Sequence, residues 1–289
     1  MRIATVSDLH TDFAENREVF VALATAIHAK KTDLVIVAGD VSHEDDRIDR
    51  ALRAMAAVAP RVVYLPGNHD LWRVDLPEGQ TFDTWQRYRV DLKTVAETAG
   101  AHYLPAAPLV IDDVAIVGTC GWYDYSFVEP WVREQLGQAA LETKKLGAIG
   151  WSDANYVSFR DASGALMPDP EVARIMASEL EAQLAQVESD PAVRSVVAAT
   201  HHQPFREVVR RSGTLPWEFF TAFMGSEGLG RAIARTPKVK NVVFGHSHIV
   251  AEHQIEGRRV YGTALGYPRE RRGLDLDRVV ATRIGFIDT

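Results

Sequence analysis

The apolar and polar positions of the first 70 residues follow two alternating patterns. Short apolar runs at 3–6, 34–38 and 61–65 predict buried strands. The segments between them, 16–30 and 45–59, carry apolar residues at helical spacing. A strand–helix–strand–helix–strand order is typical of a parallel sheet with helices on its faces. We therefore predict an α/β fold whose ligands bind beyond the carboxyl ends of the strands.

The pattern after residue 80 predicts three more helices and a set of shorter strands. Helices are expected over 81–99, 170–188 and 226–235. Strands are expected at 102–104, 109–111, 114–118, 193–199, 239–244, 249–255, 258–262 and 277–287. This later part is predicted to form mixed or antiparallel sheet. We interpret the whole chain, residues 1–289, as one domain.

Residues 121–168 differ from the rest in being rich in aromatic side chains mixed with glycine and charge. One interpretation is an inserted cap over the site. In that case Trp122 and Tyr123, just beyond a predicted strand end, would contact the substrate. The other is that these aromatic residues cover an irregular part of the core. The sequence does not decide between the two.

Composition limits the classes of function and partner. The chain has 289 residues, of which 46% are hydrophobic, and a formal net charge of −7. An acidic balance argues against broad nucleic-acid or membrane-surface binding. The single cysteine, Cys120, cannot form an internal disulfide, so we expect a reducing, cytoplasmic environment. Strand-like sequence begins at Arg2 and no apolar run has membrane-spanning length, so no secretion signal or membrane anchor is expected.

Polar residues with metal-binding side chains follow five of the predicted strands. They are Asp8-x-His10, Gly39-Asp40, Gly67-Asn68-His69-Asp70, His201-His202 and Gly245-His246-x-His248. In Asp-x-His and His-x-His the two side chains point to the same side of an extended segment. Any one of these motifs alone is common in loops. All five, each after an apolar strand, predict one shared site.

The chemistry of these side chains indicates a pair of metal ions. Carboxylate, amide and imidazole donors together suit Mn, Fe or Zn, and the lack of thiolate ligands excludes a structural zinc finger. Seven donors are too many for one ion but suit two ions that share a bridging carboxylate. Two ions about 3.5–4 Å apart are suited to phosphate ester hydrolysis, because they hold both the attacking water and the phosphoryl oxygens.

In this order, over residues 8 to 248, the motifs resemble the calcineurin-like metallophosphoesterase superfamily. The resemblance implies a four-layer α/β/β/α sandwich of two mixed β-sheets. It also implies two divalent ions bridged by Asp40, one held by Asp8, His10, Asp40 and His248, the other by Asp40, Asn68, His201 and His246. His69 would face the substrate and protonate the leaving oxygen, while a metal-bridging hydroxide attacks phosphorus.

Two assignments stay open at this point. Either His201 or His202 could be the ligand, because adjacent side chains on an extended segment point opposite ways; we favour His201, directly after the strand, and let His202 reach the phosphate or cap the loop. The acid that orients His69 could be Asp45, Asp46 or Asp70. Protein phosphatases of the superfamily carry an Asp where this chain has His43, which argues against that activity.

We therefore expect a dinuclear phosphodiesterase that acts on a small molecule, for which a nucleotide is one option. A phosphomonoesterase of the same superfamily is the alternative. A nuclease is disfavoured by the acidic balance, although Arg269, Arg271 and Arg272 form a short basic run. A non-catalytic binding module is disfavoured because every expected ligand is present in the sequence.

Overall fold

The computed structural model describes residues 1–77 and 80–289. The strands are β1 (Arg2–Val6), β2 (Leu34–Ala38), β3 (Val62–Leu65), β4 (His102–Tyr103), β5 (Leu109–Ile111), β6 (Val114–Thr119), β7 (Lys145–Leu146), β8 (Ile149–Gly150), β9 (Ser195–Thr200), β10 (Val239–Phe244), β11 (Val250–Ile255), β12 (Arg258–Thr263) and β13 (Gly285–Asp288). The helices are α1 (Ala14–Ala29), α2 (Asp45–Ala56), α3 (Asn68–Leu71), α4 (Thr84–Gln86), α5 (Leu92–Thr98), α6 (Pro130–Leu136), α7 (Gln138–Thr143), α8 (Asp153–Tyr156), α9 (Asp169–Ser189), α10 (Trp217–Phe220), α11 (Glu227–Ala234) and α12 (Leu276–Arg283).

The strands form two large mixed sheets. The first has five strands in the order β13-β1-β2-β3-β4, and its last four strands pair in parallel. The second has six strands in the order β11-β12-β10-β9-β6-β5, of which β12, β10, β9 and β6 are parallel. The remaining pair, β7 and β8, forms a small antiparallel ribbon.

The two sheets pack face to face and helices cover their outer faces. Between the sheets lies an apolar core that includes Ile36 and Val63 from the first sheet and Val197 and Val243 from the second. A second cluster buries the inner faces of α1 and α2 against the first sheet. A third buries α9 and α11 against the second sheet. This arrangement confirms the predicted four-layer α/β/β/α sandwich of two mixed sheets.

The predicted strand over 277–287 was wrong in its first two thirds. Residues Leu276–Arg283 form α12, and the strand covers only Gly285–Asp288. The Asp275 side chain accepts a hydrogen bond from the Arg278 N–H and so caps the helix, and Val279 is buried against the first-sheet core. The alternating character of this segment favours strand, but the cap and the packing partner decide for helix.

The predicted helix over 81–99 forms in three pieces. It begins at α4, passes through a π-helical turn at Arg87–Asp91 and continues as α5. Arg87 is buried at this turn; its Nε donates to the Asp70 carbonyl (2.5 Å) and its Nη1 to Asp45 (2.8 Å). A π-helical turn often marks a functional site. This one places Arg87 against the segments that follow β2 and β3.

Residues 121–168 connect β6 to α9 and contain α6, α7, the β7–β8 ribbon and α8. Trp122, Tyr123 and Phe159 belong to the first-sheet core cluster. In the described part of the chain, 1–77 and 80–289, no helix is both long and apolar enough to cross a bilayer.

Candidate metal centre

The predicted site residues meet where the carboxyl ends of five parallel strands come together. Asp8 and His10 follow β1, Asp40 follows β2, and Asn68 and His69 follow β3, all from the first sheet. The second sheet supplies the rest of the site, with His201 after β9 and both His246 and His248 after β10. Because both sheets end at this edge of the sandwich, ligands that are far apart in sequence face one another.

Five of these residues have a left-handed backbone conformation, which is unusual for residues other than glycine. Their φ angles are 52° at Asp8, 41° at His10, 55° at Asp40, 71° at His246 and 55° at His248. Such conformations cost of order 1–3 kcal/mol each and cluster at functional sites. Here they turn the side chains back over the strand ends and into the site.

Two glycines allow the loops after β2 and β3 to touch. A Cβ on Gly39 would lie 2.5 Å from the Gly67 nitrogen and 2.5 Å from His201 Nδ1. A Cβ on Gly67 would overlap the Asp40 carboxylate. Any larger side chain at either position would therefore push apart the elements that carry Asp40, Asn68 and His201.

The first group of possible ligands consists of Asp8, His10, Asp40 and His248, whose donor atoms all lie within 4.8 Å of one another. The Nε2 atoms of His10 and His248 are 3.0 Å apart. Asp8 is fully buried, and its Oδ2 has no hydrogen-bond partner among residues 1–77 and 80–289. A buried carboxylate oxygen without a donor is expected where a cation binds.

The second group consists of Asp40, His201 and His246, again within 4.8 Å. Asn68 completes it, because its Oδ1 lies 3.2 Å from His201 Nε2 and 2.9 Å from His246 Nδ1. Asp40 belongs to both groups. Its Oδ1 is 3.3 Å from His201 Nε2, and its Oδ2 is 3.8 Å from His10 Nε2. This carboxylate therefore lies between the two groups, where a bridging ligand is needed.

The structure brings His201, and not His202, into the second group. His201 Nδ1 lies 2.9 Å from the Ala38 carbonyl, which leaves Nε2 to face Asp40. Although burial lowers the pKa of His201, the Asp40 carboxylate outweighs it and raises the pKa to about 9. His202 is also fully buried but turns towards the Cys120 carbonyl, 3.3 Å from its Nδ1. Burial and neighbouring His201 lower the pKa of His202 to about 3.

The carboxylates of the site respond differently to burial. Burial raises the pKa of Asp8 above its ordinary value. Burial acts in the same direction on Asp40, but the imidazoles of His201 and His69 outweigh it and hold its pKa well below the usual value. The two imidazoles thus favour the ionised form of Asp40, which is the form that can bind a cation.

His69 lies beside both groups but belongs to neither. Its backbone N–H donates to Asp40 Oδ1 (2.8 Å), which fixes the start of α3. Its ring stacks on the indole of Trp72, with centroids 3.6 Å apart, and its Nε2 lies 3.4 Å from the Tyr267 hydroxyl. Burial lowers the pKa of His69.

The Asp70 carboxylate binds backbone groups. It accepts hydrogen bonds from the N–H groups of Asp40, Val41, Ser42 and Gly67, at 2.8–2.9 Å. Of the other two acids considered for orienting His69, Asp45 pairs with Arg87 and Asp46 is exposed. Asp70 therefore ties together the loops that carry Asp40 and Asn68.

Three further residues at the site were not identified from the sequence. Glu270 Oε2 lies 2.7 Å from His248 Nδ1, and Asp153 accepts a hydrogen bond from the Asn68 amide. The third, Tyr267, packs its ring on His10 with centroids 4.6 Å apart. Tyr267 comes shortly after β12, so the same strand-end argument could have identified it. Glu270 was hidden within the basic run, and Asp153 within the aromatic segment.

The structure places the two predicted substrate aromatics in the interior. Trp122 and Tyr123 are both 0% exposed and stack on each other, with centroids 4.7 Å apart. The Trp122 indole N–H donates to Asp169 (2.9 Å). This geometry fits the core-covering interpretation, since substrate contact would require both rings to leave the core. His202, the third predicted substrate residue, packs against Trp122 with centroids 5.0 Å apart.

Comparisons with known proteins identify the family. The model of the calcineurin-like phosphoesterase family matches residues 1–250. The chain is 26% identical over 272 residues to "[Acyl-carrier-protein] phosphodiesterase PptH" of Mycobacterium tuberculosis (strain ATCC 25618 / H37Rv). The aligned region covers 92% of this chain and 78% of that protein. The crystal structure of phosphopantetheinyl hydrolase (PptH) from Mycobacterium tuberculosis shares the fold, with a TM-score of 0.76 and 22% identity over 99% of this chain and 95% of that one. The chain therefore belongs to the calcineurin-like phosphoesterase family and is a metal-dependent phosphoester hydrolase.

Proposed function

We propose that this enzyme is a dimetal phosphodiesterase whose substrate is a phosphopantetheinyl diester on a carrier protein. The observation that carries the proposal is the pair of ligand groups that share Asp40. The relative with 26% identity is named for phosphodiester hydrolysis on an acyl carrier protein, and it covers 92% of this chain. That name supports a diester over a monoester, and a carrier-bound substrate over the free small molecule or nucleotide expected from the sequence.

The residues present fit two divalent ions of the Mn, Fe or Zn type. One would be held by Asp8, His10 and His248, the other by Asn68, His201 and His246, with Asp40 between them. Asp8 Oδ2, which has no hydrogen-bond partner in the part of the chain that the structure describes, is a feature that a cation would stabilise, and so is the close His10–His248 pair. When bound, the ions supply a nucleophile at neutral pH and neutralise charge on the phosphoryl oxygens.

His69 is proposed to act as the general acid. Its ring edge faces the space beside Asp40, with Nε2 4.0 Å from Asp40 Oδ2. The Tyr267 hydroxyl can hold a proton on Nε2 until a substrate oxygen takes its place. Burial lowers the pKa of His69, and the negative charge of a bound diester would raise it again, so the proton would be available when substrate is present.

The test compares diester and monoester substrates with defined metals. Protein stripped of metal is reloaded with Mn, Fe or Zn and given bis(p-nitrophenyl) phosphate, p-nitrophenyl phosphate, and a carrier protein bearing phosphopantetheine. We expect the diester to be hydrolysed faster than the monoester, and the carrier protein to lose its phosphopantetheine as measured by intact mass. Faster hydrolysis of the monoester would instead support the phosphomonoesterase alternative.

A matched pair of variants checks that the measured activity belongs to this site. Asp40→Asn removes a charge between the two ligand groups and should lower kcat/KM by more than about 100-fold. Asp33→Asn makes the same change at an exposed residue and should leave kcat/KM unchanged. If folded protein turns over none of the three substrates with any of the metals, the proposed function is wrong.

The cytoplasmic location expected from the single cysteine stays a prediction.

A further inference from the structure

We propose that Asp153 is a positioning residue of the metal centre: its carboxylate holds both the Asn68 amide and the Trp72 indole in place. Through Trp72 it also fixes the ring of His69. Asp153 comes from the aromatic segment 121–168 rather than from a strand end. The inference rests on the proposed dimetal function, and it assigns to this segment a role in the site other than contact with substrate.

Three hydrogen-bond donors converge on this carboxylate. The amide Nδ2 of Asn68 (2.9 Å) and the indole Nε1 of Trp72 (2.7 Å) both donate to Asp153 Oδ1. The indole Nε1 of Trp151 donates to Oδ2 (2.7 Å). Asp153 is 0% exposed, so none of these bonds is replaced by one to solvent. A carboxylate that only accepts matches three groups that only donate.

The first bond decides which way the Asn68 amide faces. Because the carboxylate accepts, the amide nitrogen must point to Asp153 and the amide oxygen must point away from it. That oxygen lies 2.9 Å from His246 Nδ1 and 3.2 Å from His201 Nε2, at the second ligand group. Without the acceptor, either end of the amide could turn towards the ion. Partners behind a ligand commonly change metal affinity 10–100-fold.

The second hydrogen bond, from the Trp72 indole to Asp153, affects the position of His69, the proposed general acid. The Trp72 indole is clamped at its N–H by Asp153 and stacks face to face with His69, at 3.6 Å between centroids and 29° between planes. His69 therefore rests on a ring whose own position is fixed. One carboxylate oxygen of Asp153 thus orients both the Asn68 amide, whose oxygen faces the second ligand group, and the Trp72 indole, on which His69 stacks.

The experiment measures metal binding as well as activity. Manganese is titrated into metal-free wild type, Asp153→Ala and Asp153→Asn, and bound equivalents and affinities are measured by calorimetry and elemental analysis. In Asp153→Ala we expect one equivalent to keep its affinity and the other to bind roughly 10–100-fold more weakly. In Asp153→Asn the side-chain oxygen can still accept from both Asn68 and Trp72, so both equivalents should bind close to wild type. Its amide nitrogen would face the Trp151 N–H as a second donor, so the metal-free variant should be less stable than wild type.

Two further variants complete the test. Asp161→Ala removes an exposed carboxylate from the same segment and should leave metal binding and turnover unchanged. Trp72→Phe keeps an aromatic platform but loses the N–H bond; both equivalents should remain while kcat falls by up to about 100-fold with KM little changed. Asp153→Ala removes the buried acceptor of three hydrogen-bond donors, so the metal-free variant should lose thermal stability in any case. A purely structural role of Asp153 would instead weaken both equivalents equally.

The outcomes separate this inference from the proposed function. If wild type binds fewer than two equivalents, the dimetal centre itself is wrong. If wild type binds two and Asp153→Ala also binds two with wild-type affinities, the positioning role is wrong. Should Asp153→Ala fail to fold, Asp153→Glu keeps the charge but moves the carboxylate, and it carries the same expectation: a selective loss of one equivalent, with retention of both overturning the inference.

Discussion

At the scale of single residues, the possible ligands and the proposed acid are held by different means. Five of the possible ligands have a positive φ, so the backbone itself aims their side chains. His69 is aimed by its neighbours, with Asp40 on its backbone N–H, Trp72 against one ring face and Tyr267 near its Nε2. The ligand role and the acid role should therefore be separable by mutation.

Replacing His69 with Asn should separate them. His69→Asn leaves every atom of both ligand groups in place, so two metal equivalents should still bind. It removes the proton donor, and loss of general acid catalysis typically costs 10²–10⁴-fold, so we expect kcat to fall by roughly 1,000-fold. Elemental analysis and steady-state kinetics measure the two quantities. His28→Asn, at an exposed position on α1, is the control; loss of a metal equivalent in His69→Asn would show that His69 is a ligand.

At the scale of elements, the site depends on how neighbouring strand ends are tied together. The parallel strands β2 and β3 end side by side, and the Asp70 carboxylate binds the N–H groups of both following loops. A carboxylate with four donors needs no side-chain partner. Asp70 therefore links the Gly39-Asp40 loop to the Gly67-Asn68 loop, and so links Asp40, the proposed bridging ligand, to Asn68.

Replacing Asp70 with Asn should loosen this link. The Asn oxygen could accept from two of the four N–H groups, while its amide nitrogen would face the other two as a second donor. An unsatisfied buried group costs about 1–3 kcal/mol, so we expect the free energy of unfolding to fall by roughly 3 kcal/mol, measured by urea denaturation without metal. Asp46→Asn, at an exposed acid on α2, should change it by less than about 0.5 kcal/mol. Equal free energies of unfolding for the two variants would contradict the proposal that Asp70 links the two loops.

The elements also explain what could be read from the sequence. Strands such as β2 and β10 are short apolar runs that end in polar ligands, and both features are local. The strand-end rule therefore predicts seven possible ligands and His69 from the sequence, and the structure brings these residues to one edge of the sandwich. Asp153 and Glu270 could not be found in this way, because each acts on a ligand from a distant segment. The error at 277–287 has a related origin, since the helix there depends on the packing of Val279 against the first-sheet core as well as on the Asp275 cap.

At the scale of the whole molecule, the candidate metal centre lies where the two sheets meet. Asp8, Asp40 and Asn68 belong to the first sheet, whereas His201, His246 and His248 belong to the second. Each ligand group contains residues from both. The apolar core between the sheets stabilises most of the sandwich. At this edge the sheets instead meet through buried carboxylates and imidazoles, whose mutual repulsion an ion would offset.

Removal of metal should therefore weaken the whole fold rather than the loops alone. At a free metal concentration about 100 times Kd, each ion adds about 2.7 kcal/mol to the free energy of unfolding. Two ions lost to a chelator should then lower Tm by roughly 10 °C, measured by calorimetry with and without chelator. His69→Asn should show the same shift, because its ligands are intact, and Asp40→Asn should show little or none. An equal shift in Asp40→Asn would mean that the stabilising ions do not depend on Asp40, because loss of a charged residue shared by both ligand groups should weaken the binding of each ion.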